Sequence, residues 1–310
     1  MRLESVFDLI GGTPLVGIHE LSVNPDVRLY AKLEGTNPGG SVKDRIAKAM
    51  VEAAERDGRL HPGDTVLEPS SGNTGIGLAL VCRLKGYQLR VVLPGNVSPE
   101  RRQLLEIFGA EVVSSPAAEG SNGAIRVAQE LDKEGGVVLL YQYGNPANPD
   151  AHYRGTGPEI WADCPEVDVF VAGLGTSGTL MGVGRYLKER KPAVQIVAVE
   201  PPAGEQVQGL RSIEEGYVPP IFDPDILDRR FIVRPRESIE WTRRLVEECG
   251  IFAGLSSGAV LAGAAKVAND MDGGTIVVLL PDGGWKYLST GAWTEDIDVV
   301  VERARRLIYF

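Results

Sequence analysis

The chemistry this chain can perform is most legible at a single lysine. In Asn37-Pro-Gly-Gly-Ser-Val-Lys-Asp-Arg45, an Asn-Pro-Gly turn and a serine cap place Lys43 in the first turn of a helix. The positive end of the helix dipole disfavours a second positive charge there and pushes the amine toward its neutral form. A neutral amine suits Schiff-base chemistry, although most lysines taken singly are solvated surface charges. Two glycine-rich turns could hold an anion: Glu68-Pro-Ser-Ser-Gly-Asn-Thr-Gly75 and Gly173-Leu-Gly-Thr-Ser-Gly-Thr179. Each follows an expected strand and opens an expected helix, where free N–H groups and the dipole attract negative charge. Ser70, Ser71, Asn73 and Thr74 add side-chain donors to the first turn, and Thr176, Ser177 and Thr179 to the second. Either turn alone reads equally well as a capped strand-to-helix connection with no ligand.

The second turn carries a competing reading. Gly173, Gly175 and Gly178 fit G-x-G-x-x-G after a strand, and Glu200 ends the next strand, as in dinucleotide-binding units. Its mid-chain position and its density of hydroxyls favour a terminal phosphate monoester instead.

The elements that must position these residues follow a regular rhythm. Short apolar runs at Val27–Glu34, Thr65–Glu68, Leu89–Leu93, Glu111–Ser114, Val137–Tyr141, Val167–Ala172, Gln195–Glu200 and Thr275–Leu280 read as strands. Several are continuously apolar, as strands covered on both faces are. Helical segments are expected near 41–58, 73–86, 98–109, 121–134, 178–190, 238–249 and 257–270. Strand–helix alternation at this spacing predicts an α/β fold with parallel sheets. Asn145-Pro-Ala-Asn-Pro149 reads as a turn or crossover. Residues 201–236 are proline-rich and aperiodic, and a long irregular stretch in a compact α/β protein is more often functional than filler.

Composition bounds the function. The 310 residues are 43% hydrophobic and 24% charged with a net charge of −10, which argues against nucleic-acid binding. No apolar run is long enough to span a bilayer, so no membrane association is expected. Cys82, Cys164 and Cys249 are scattered and odd in number, which fits a reduced, cytoplasmic compartment. Only three histidines are present, so no metal site is expected.

The lysine segment also resembles the cofactor-lysine motif of the cysteine synthase family, within the fold-type II pyridoxal-phosphate enzymes. Gly12-Thr-Pro-Leu15, Lys32-Leu-Glu34, Ser71-Gly-Asn-Thr-Gly75, Asn145-Pro-Ala-Asn-Pro149, Thr156-Gly-Pro-Glu159, Gly175-Thr-Ser-Gly-Thr179, Gly254-Leu-Ser-Ser-Gly258 and Tyr287-Leu-Ser-Thr-Gly291 resemble further family motifs, in family order. The resemblance runs from about residue 8 to 292, and with it the dinucleotide reading falls away. It implies two open twisted, mostly parallel sheets flanked by helices, as in the tryptophan synthase β subunit. A smaller, mobile N-terminal domain would span 41–147. The larger domain would comprise 1–40 and 148–310, with the active site in the cleft between them. Lys43 would carry pyridoxal 5'-phosphate and act as the catalytic base. Gly175, Thr176, Ser177, Gly178 and Thr179 would cradle the phosphate, Asn73 would meet the ring hydroxyl, and Ser256 the pyridine nitrogen. Ser70, Ser71, Thr74 and Gln142 would take the substrate carboxylate. The loop Pro281-Asp-Gly-Gly-Trp285 departs from the small hydroxyl residues of many relatives.

Residues 208–219, together with Trp285-Lys-Tyr-Leu-Ser-Thr-Gly291, resemble the cysteine synthase B branch that includes O-phosphoserine sulfhydrylases. In that branch Arg211 would bind the substrate's phosphate. A lone loop arginine here could otherwise simply pair with Glu214 or Glu215. The implied reaction is β-replacement on an O-activated serine, through an aminoacrylate, with sulfide or a protein thiocarboxylate as sulfur donor. O-acetylserine is the alternative substrate. Serine or threonine deamination, or a partner-binding role, is the lesser reading. A homodimer is the family habit, and a small sulfur-carrier protein or serine acetyltransferase the implied protein partner.

Overall fold

The computed structural model describes residues 2–70, 72–95 and 97–306. Among the described residues there are ten strands: β1 (Leu15–Gly17), β2 (Val27–Leu33), β3 (Thr65–Pro69), β4 (Gln88–Pro94), β5 (Glu111–Ser115), β6 (Val138–Leu139), β7 (Val169–Gly173), β8 (Gln195–Glu200), β9 (Arg229–Ile232) and β10 (Gly274–Leu280). They form two sheets, in the orders β1-β2-β10-β7-β8-β9 and β5-β4-β3-β6. All pairings are parallel except β1 with β2. The α-helices are α1 (Lys43–Arg56), α2 (Asn73–Lys85), α3 (Pro99–Ile107), α4 (Gly120–Glu134), α5 (Ala147–Ala151), α6 (Gly157–Asp163), α7 (Gly178–Arg190), α8 (Pro235–Cys249), α9 (Leu255–Asn269) and α10 (Ile297–Arg306). None of the described helices is long and apolar enough to cross a membrane.

The apolar runs are continuous because both sheet faces are covered. Along β10, Ile276, Val278 and Leu280 enter the core cluster beneath α9, while Val277 and Leu279 enter the cluster beneath α7. β7 divides likewise, with Val169 and Val171 on one side and Phe170 and Ala172 on the other. In the smaller sheet, Leu89, Val91 and Leu93 of β4 face α1 and α2, and Val92 faces α4. Each buried Val, Ile or Leu side chain stabilises by about 1.5–3 kcal/mol. The period-two alternation fixes the register, because a one-residue slip would exchange the faces.

The structure departs from the sequence expectations at four places. β1 is antiparallel and only three residues long, too short to carry a periodic signal. β9 lies in the stretch expected to be irregular, and its Arg-Arg-Phe-Ile sequence pairs only with β8 at the sheet edge. Asn145–Pro149, expected as a turn or crossover, leads directly into α5, which runs through a π-helical segment His152–Thr156 into α6. Pro158 removes a backbone donor just past that segment, and the wider π turn accommodates the interruption. The C-terminal α10 was not expected at all.

Candidate active site

The chemistry-bearing residues converge at the C-terminal ends of β3, β7 and β10, where ligands of open α/β sheets lie. Two adjoining cavities share Lys43 as a wall. The first is lined by Lys43, Ser70, Asn73, Thr74, Gln142, Arg211 and Ser256. The second is lined by Lys43 and by Gly175, Thr176, Ser177, Gly178 and Thr179. Of the residues singled out in the sequence, only Ser71 lies outside the described residues.

Lys43 opens α1, and its backbone N–H donates to the Ser41 hydroxyl at 3.2 Å. Burial lowers its pKa, against the opposing attraction of Asp282 and Glu34. A buried network anchors the helix beneath it. Arg45 pairs with Glu34 at 2.7 Å and with Glu159 at 2.6 Å, and Lys32 reaches Glu159 at 2.8 Å. Thr13 donates to Glu34 at 2.7 Å. Burial alone would raise the Glu159 pKa, but Arg45 and Lys32 together hold it down at about 2. The motifs around Thr13, Lys32, Glu34 and Glu159 therefore serve one task, fixing the start of the lysine helix.

The loop Pro281–Trp285 supports the same turn from the other side. The Val42 N–H donates to the Pro281 carbonyl at 2.8 Å, and the buried Lys286 ammonium donates to the Gly40 carbonyl at 3.1 Å. Lys286 also donates to Asn73 Oδ1 at 2.7 Å, while Asn73 Nδ2 donates to Asp282 Oδ2 at 2.7 Å. The Tyr287 hydroxyl donates to the same Asp282 oxygen at 2.5 Å. The Asn73 amide is thus oriented by both ends, with one N–H left over for a ligand. Burial lowers the Lys286 pKa to about 8, Asp282 and Asp44 opposing.

The second cavity has the features of a phosphate cradle. Ser177, a non-glycine residue at φ 72°, caps α7 without forming a side-chain cap bond. Backbone held in that region is strained and is often part of a ligand clamp. Its buried hydroxyl has no partner among the described residues. A side chain at Gly178 would collide with the Asn148 carboxamide, so only glycine permits the close approach. Asn148 Nδ2 donates to Thr176 Oγ1 at 3.0 Å, which leaves the Thr176 proton free to meet an anion. The uncapped turn, the orphaned hydroxyl and the lysine at its edge fit a phosphorylated aldehyde cofactor. Glu200, the ribose-binding acid of the competing dinucleotide reading, is fully buried. It accepts from the Ile213 N–H at 2.9 Å and pairs with Arg230 at 3.0 Å.

The residues expected to take the substrate carboxylate are pre-organised. Ser70 Oγ accepts from the N–H groups of Gly72 and Gly75 at 3.2 and 3.0 Å, and Thr74 donates to Gln142 Oε1 at 2.6 Å. Gln142 itself is held by Glu68, a buried carboxyl at the end of β3 that sequence reasoning passed over. Its two oxygens accept the N–H groups of Tyr141 and Gln142 at 2.8 and 3.1 Å. Tyr141 sits at φ 58°. Burial raises the Glu68 pKa to about 8, with those two N–H groups opposing.

Arg211 is no solvated loop charge. It is 6% exposed, with its guanidinium carbon 4.7 Å from the Tyr217 ring centre and 5.3 Å from that of Tyr143. It donates to Asn122 Oδ1 at 3.2 Å, whereas Glu214 pairs with Arg230. Arg101, Ser121 and Tyr143 also line the first cavity and were missed in the sequence, and Tyr287, read there only as part of a motif, joins them. Arg101 lies over the Tyr287 ring at 5.0 Å and donates to Gln208 at 3.0 Å. The first three stand in no motif that the sequence reading singled out, and the motif holding Tyr287 carried no assigned role. The described residues hold no cluster able to bind a metal ion.

Comparison with known proteins agrees with this geometry. The family model described as pyridoxal-phosphate dependent enzyme matches residues 6–282. The chain is 44% identical over 304 residues to a cysteine synthase of Staphylococcus aureus, covering 95% of this chain and 98% of that relative. It is 41% identical over 294 residues to cysteine synthase B of Pseudomonas aeruginosa, covering 94% and 98%. Among solved structures, O-ureido-L-serine synthase superposes with a TM-score of 0.90 at 38% identity, covering 96% of this chain and 99% of that one. With a full-length match, a lysine-edged phosphate cradle and an adjoining cleft for an amino acid, the chain belongs to the pyridoxal-phosphate-dependent enzymes, within their cysteine synthases.

Proposed function

We propose that this cysteine synthase takes O-phosphoserine as its preferred activated serine, with O-acetylserine the poorer alternative. The observation that carries the reading is the placement of Arg211, buried in the cleft between two tyrosine rings and bonded to Asn122. A guanidinium donates two parallel charge-assisted hydrogen bonds to a phosphate dianion, for which an acetyl ester has no counterpart.

Bound pyridoxal phosphate supplies an electron sink for negative charge at the substrate α-carbon. The protein's residues do the rest. The Lys43 amine, kept low in pKa by burial, carries the cofactor and moves the α-proton. Thr176, Thr179 and the backbone from Gly175 to Gly178 hold the phosphate. Asn73 turns its remaining N–H to the ring hydroxyl. Ser256, neutral and 1% exposed, meets the pyridine nitrogen without protonating it, which favours elimination over transamination. Ser70, Ser71, Thr74 and Gln142 take the substrate carboxylate. Residues 41–147 form the unit that closes over the substrate. The sulfur donor is sulfide or the thiocarboxylate of a small carrier protein. The working form is a cytoplasmic homodimer, and serine acetyltransferase is the partner expected if acetylserine is the substrate.

The test compares wild type and Arg211→Ala on both substrates, with Lys43→Ala as the inactive control. Loss of one bidentate contact is expected to cost the phosphorylated substrate about 2–4 kcal/mol in kcat/KM. Equal losses for both substrates, or a wild type that prefers O-acetylserine, would overturn the reading.

A further inference from the structure

The second cavity is supported from behind by one helical stretch. α5 and the π-helical segment that continues it pack against the start of α7, so closely that a side chain at Gly182 would collide with the Pro149 carbonyl and with His152. Asn148 reaches the Thr176 hydroxyl from this stretch. Four residues on, His152 reaches Thr179, with Nε2 3.2 Å from Thr179 Oγ1. The other ring nitrogen, Nδ1, lies 3.0 Å from Thr156 Oγ1 at the end of the π-helical segment. His152 is 1% exposed and Thr156 is fully buried. The roles assigned above use neither residue.

The His152 ring is neutral. Burial, aided by Lys43 and Arg45, holds its pKa well below the usual histidine value, with Glu159 opposing. A neutral imidazole has one N–H and one bare nitrogen, so its two threonine neighbours play different parts. In one tautomer Nδ1–H donates to Thr156 and Nε2 is bare. Thr179 then gives its single proton to the ring and has none for an anion. In the other tautomer Thr156 donates to a bare Nδ1, and Nε2–H donates to Thr179 Oγ1. The Thr179 proton is then free to turn into the cavity that Thr179 lines. Asn148 does the same for Thr176, where an N–H occupies the oxygen and releases the proton. A phosphate dianion accepts hydrogen bonds and donates none, so only the second tautomer serves it.

We infer that His152, held as its Nε2–H tautomer by the Thr156 hydroxyl, is a positioning residue for the cofactor phosphate and acts through Thr179. This inference rests on the assignment of Thr179 to the phosphate made above. The direction of the hydrogen bonds is fixed at the buried end of the relay, where Thr156 can donate to the ring. It is carried through the imidazole and ends in a hydroxyl proton aimed at the anion. His152 itself touches neither the cofactor nor the substrate. The π-helical segment thereby acquires a task, because it carries both His152 and the threonine that sets its tautomer.

The experiment has two readouts, neither of them activity. Cofactor affinity is measured by equilibrium dialysis of the holoenzyme in wild type, Thr179→Ala, His152→Leu, His152→Gln and the double variant His152→Leu with Thr179→Ala. The tautomer is read by nitrogen-15 NMR of histidine-labelled holoenzyme, where the chain's three histidines are told apart by comparison with His152→Gln. His152→Leu is expected to weaken cofactor binding about tenfold, the worth of one hydrogen bond to a charged group. His152→Gln keeps an N–H at the same reach and should restore most of that loss. The double variant should bind no more weakly than Thr179→Ala alone, because His152 has no other route to the anion. The NMR spectrum should show a protonated Nε2 and a bare Nδ1. A protonated Nδ1 in the wild-type holoenzyme, or losses that simply add in the double variant, would overturn the inference; the NMR result stands even if a variant fails to fold. If Thr179→Ala weakens binding while His152→Leu stays within about twofold of wild type, the relay is wrong and the phosphate assignment stands. If Thr179→Ala binds the cofactor as wild type does, the assignment fails and the inference with it.

Discussion

Lys286 offers a quantitative test of the architecture around Asn73. Its ammonium is fully buried, and its pKa falls from 10.5 to about 8, chiefly through burial. That fall corresponds to roughly 3 kcal/mol of cost for keeping the charge inside at neutral pH. The unfolded chain keeps the proton up to its ordinary pKa, whereas the native state releases it near 8. Between those values the unfolded state binds more protons, so this group's contribution makes stability rise with pH. Lys286→Met removes the charge and the cost together. It also strips Asn73 Oδ1 and the Gly40 carbonyl of their donor, at about 1–3 kcal/mol each. At about pH 7 these effects offset in large part, and the variant should be within about 3 kcal/mol of wild type. By about pH 10.5 the wild type has shed its cost, so its advantage over the variant should have grown by roughly 3 kcal/mol. Urea unfolding of the cofactor-saturated proteins across this range measures the difference. Parallel pH curves would show that Lys286 does not titrate in the native state near 8 and would refute the argument.

Three further outcomes are expected. Thr176→Ala and Thr179→Ala should each weaken cofactor retention by about 1.5–3 kcal/mol, read by dialysis against apo-enzyme reconstitution; unchanged affinity in both would remove the second cavity from consideration as the phosphate cradle. Glu68→Gln turns an amide N–H against the Tyr141 or Gln142 backbone and should cost about 1–3 kcal/mol of stability, with a rise in KM for the amino-acid substrate. Because the native Glu68 keeps its proton up to about 8, its contribution makes stability decline as pH rises toward that value, and the variant should lack that slope. Ser256→Asp should slow turnover and open side reactions by protonating the ring nitrogen; product analysis showing normal turnover with no new products would place Ser256 away from that nitrogen.

The sequence reading succeeded where one residue type has one physical use. The buried strands were visible because both faces of each sheet are covered, which leaves continuous apolar runs such as Thr275–Leu280. Lys43 and the Gly175–Thr179 turn were visible because a helix start after a strand is a local feature. The reading failed where a residue acts across the fold. Arg45, Glu34, Lys32 and Glu159 are scattered over more than a hundred positions, and only the fold, which brings side chains from the start of α1, the end of β2 and α6 together, makes them one network. Glu68 had a faint local signal, a carboxylate closing an otherwise apolar strand, but its partners at 141 and 142 lie on the far side of α4 in the chain.

The competing dinucleotide reading shows why glycine spacing alone was insufficient. A tight strand-to-helix turn needs the same glycines whether it holds a pyrophosphate or a phosphate monoester. What distinguishes the two is the chemistry brought to the turn from elsewhere. Here Asn148 arrives from α5, orients the Thr176 hydroxyl outward, and fills the space a Gly178 side chain would need. Lys43 arrives from α1 and lines the same cavity, where in the proposed reading it would carry the aldehyde. Glu200 meanwhile is committed to Ile213 and Arg230. On the proposed reading the cofactor is therefore selected by three residues outside the glycine motif, two that approach it and one that is held away.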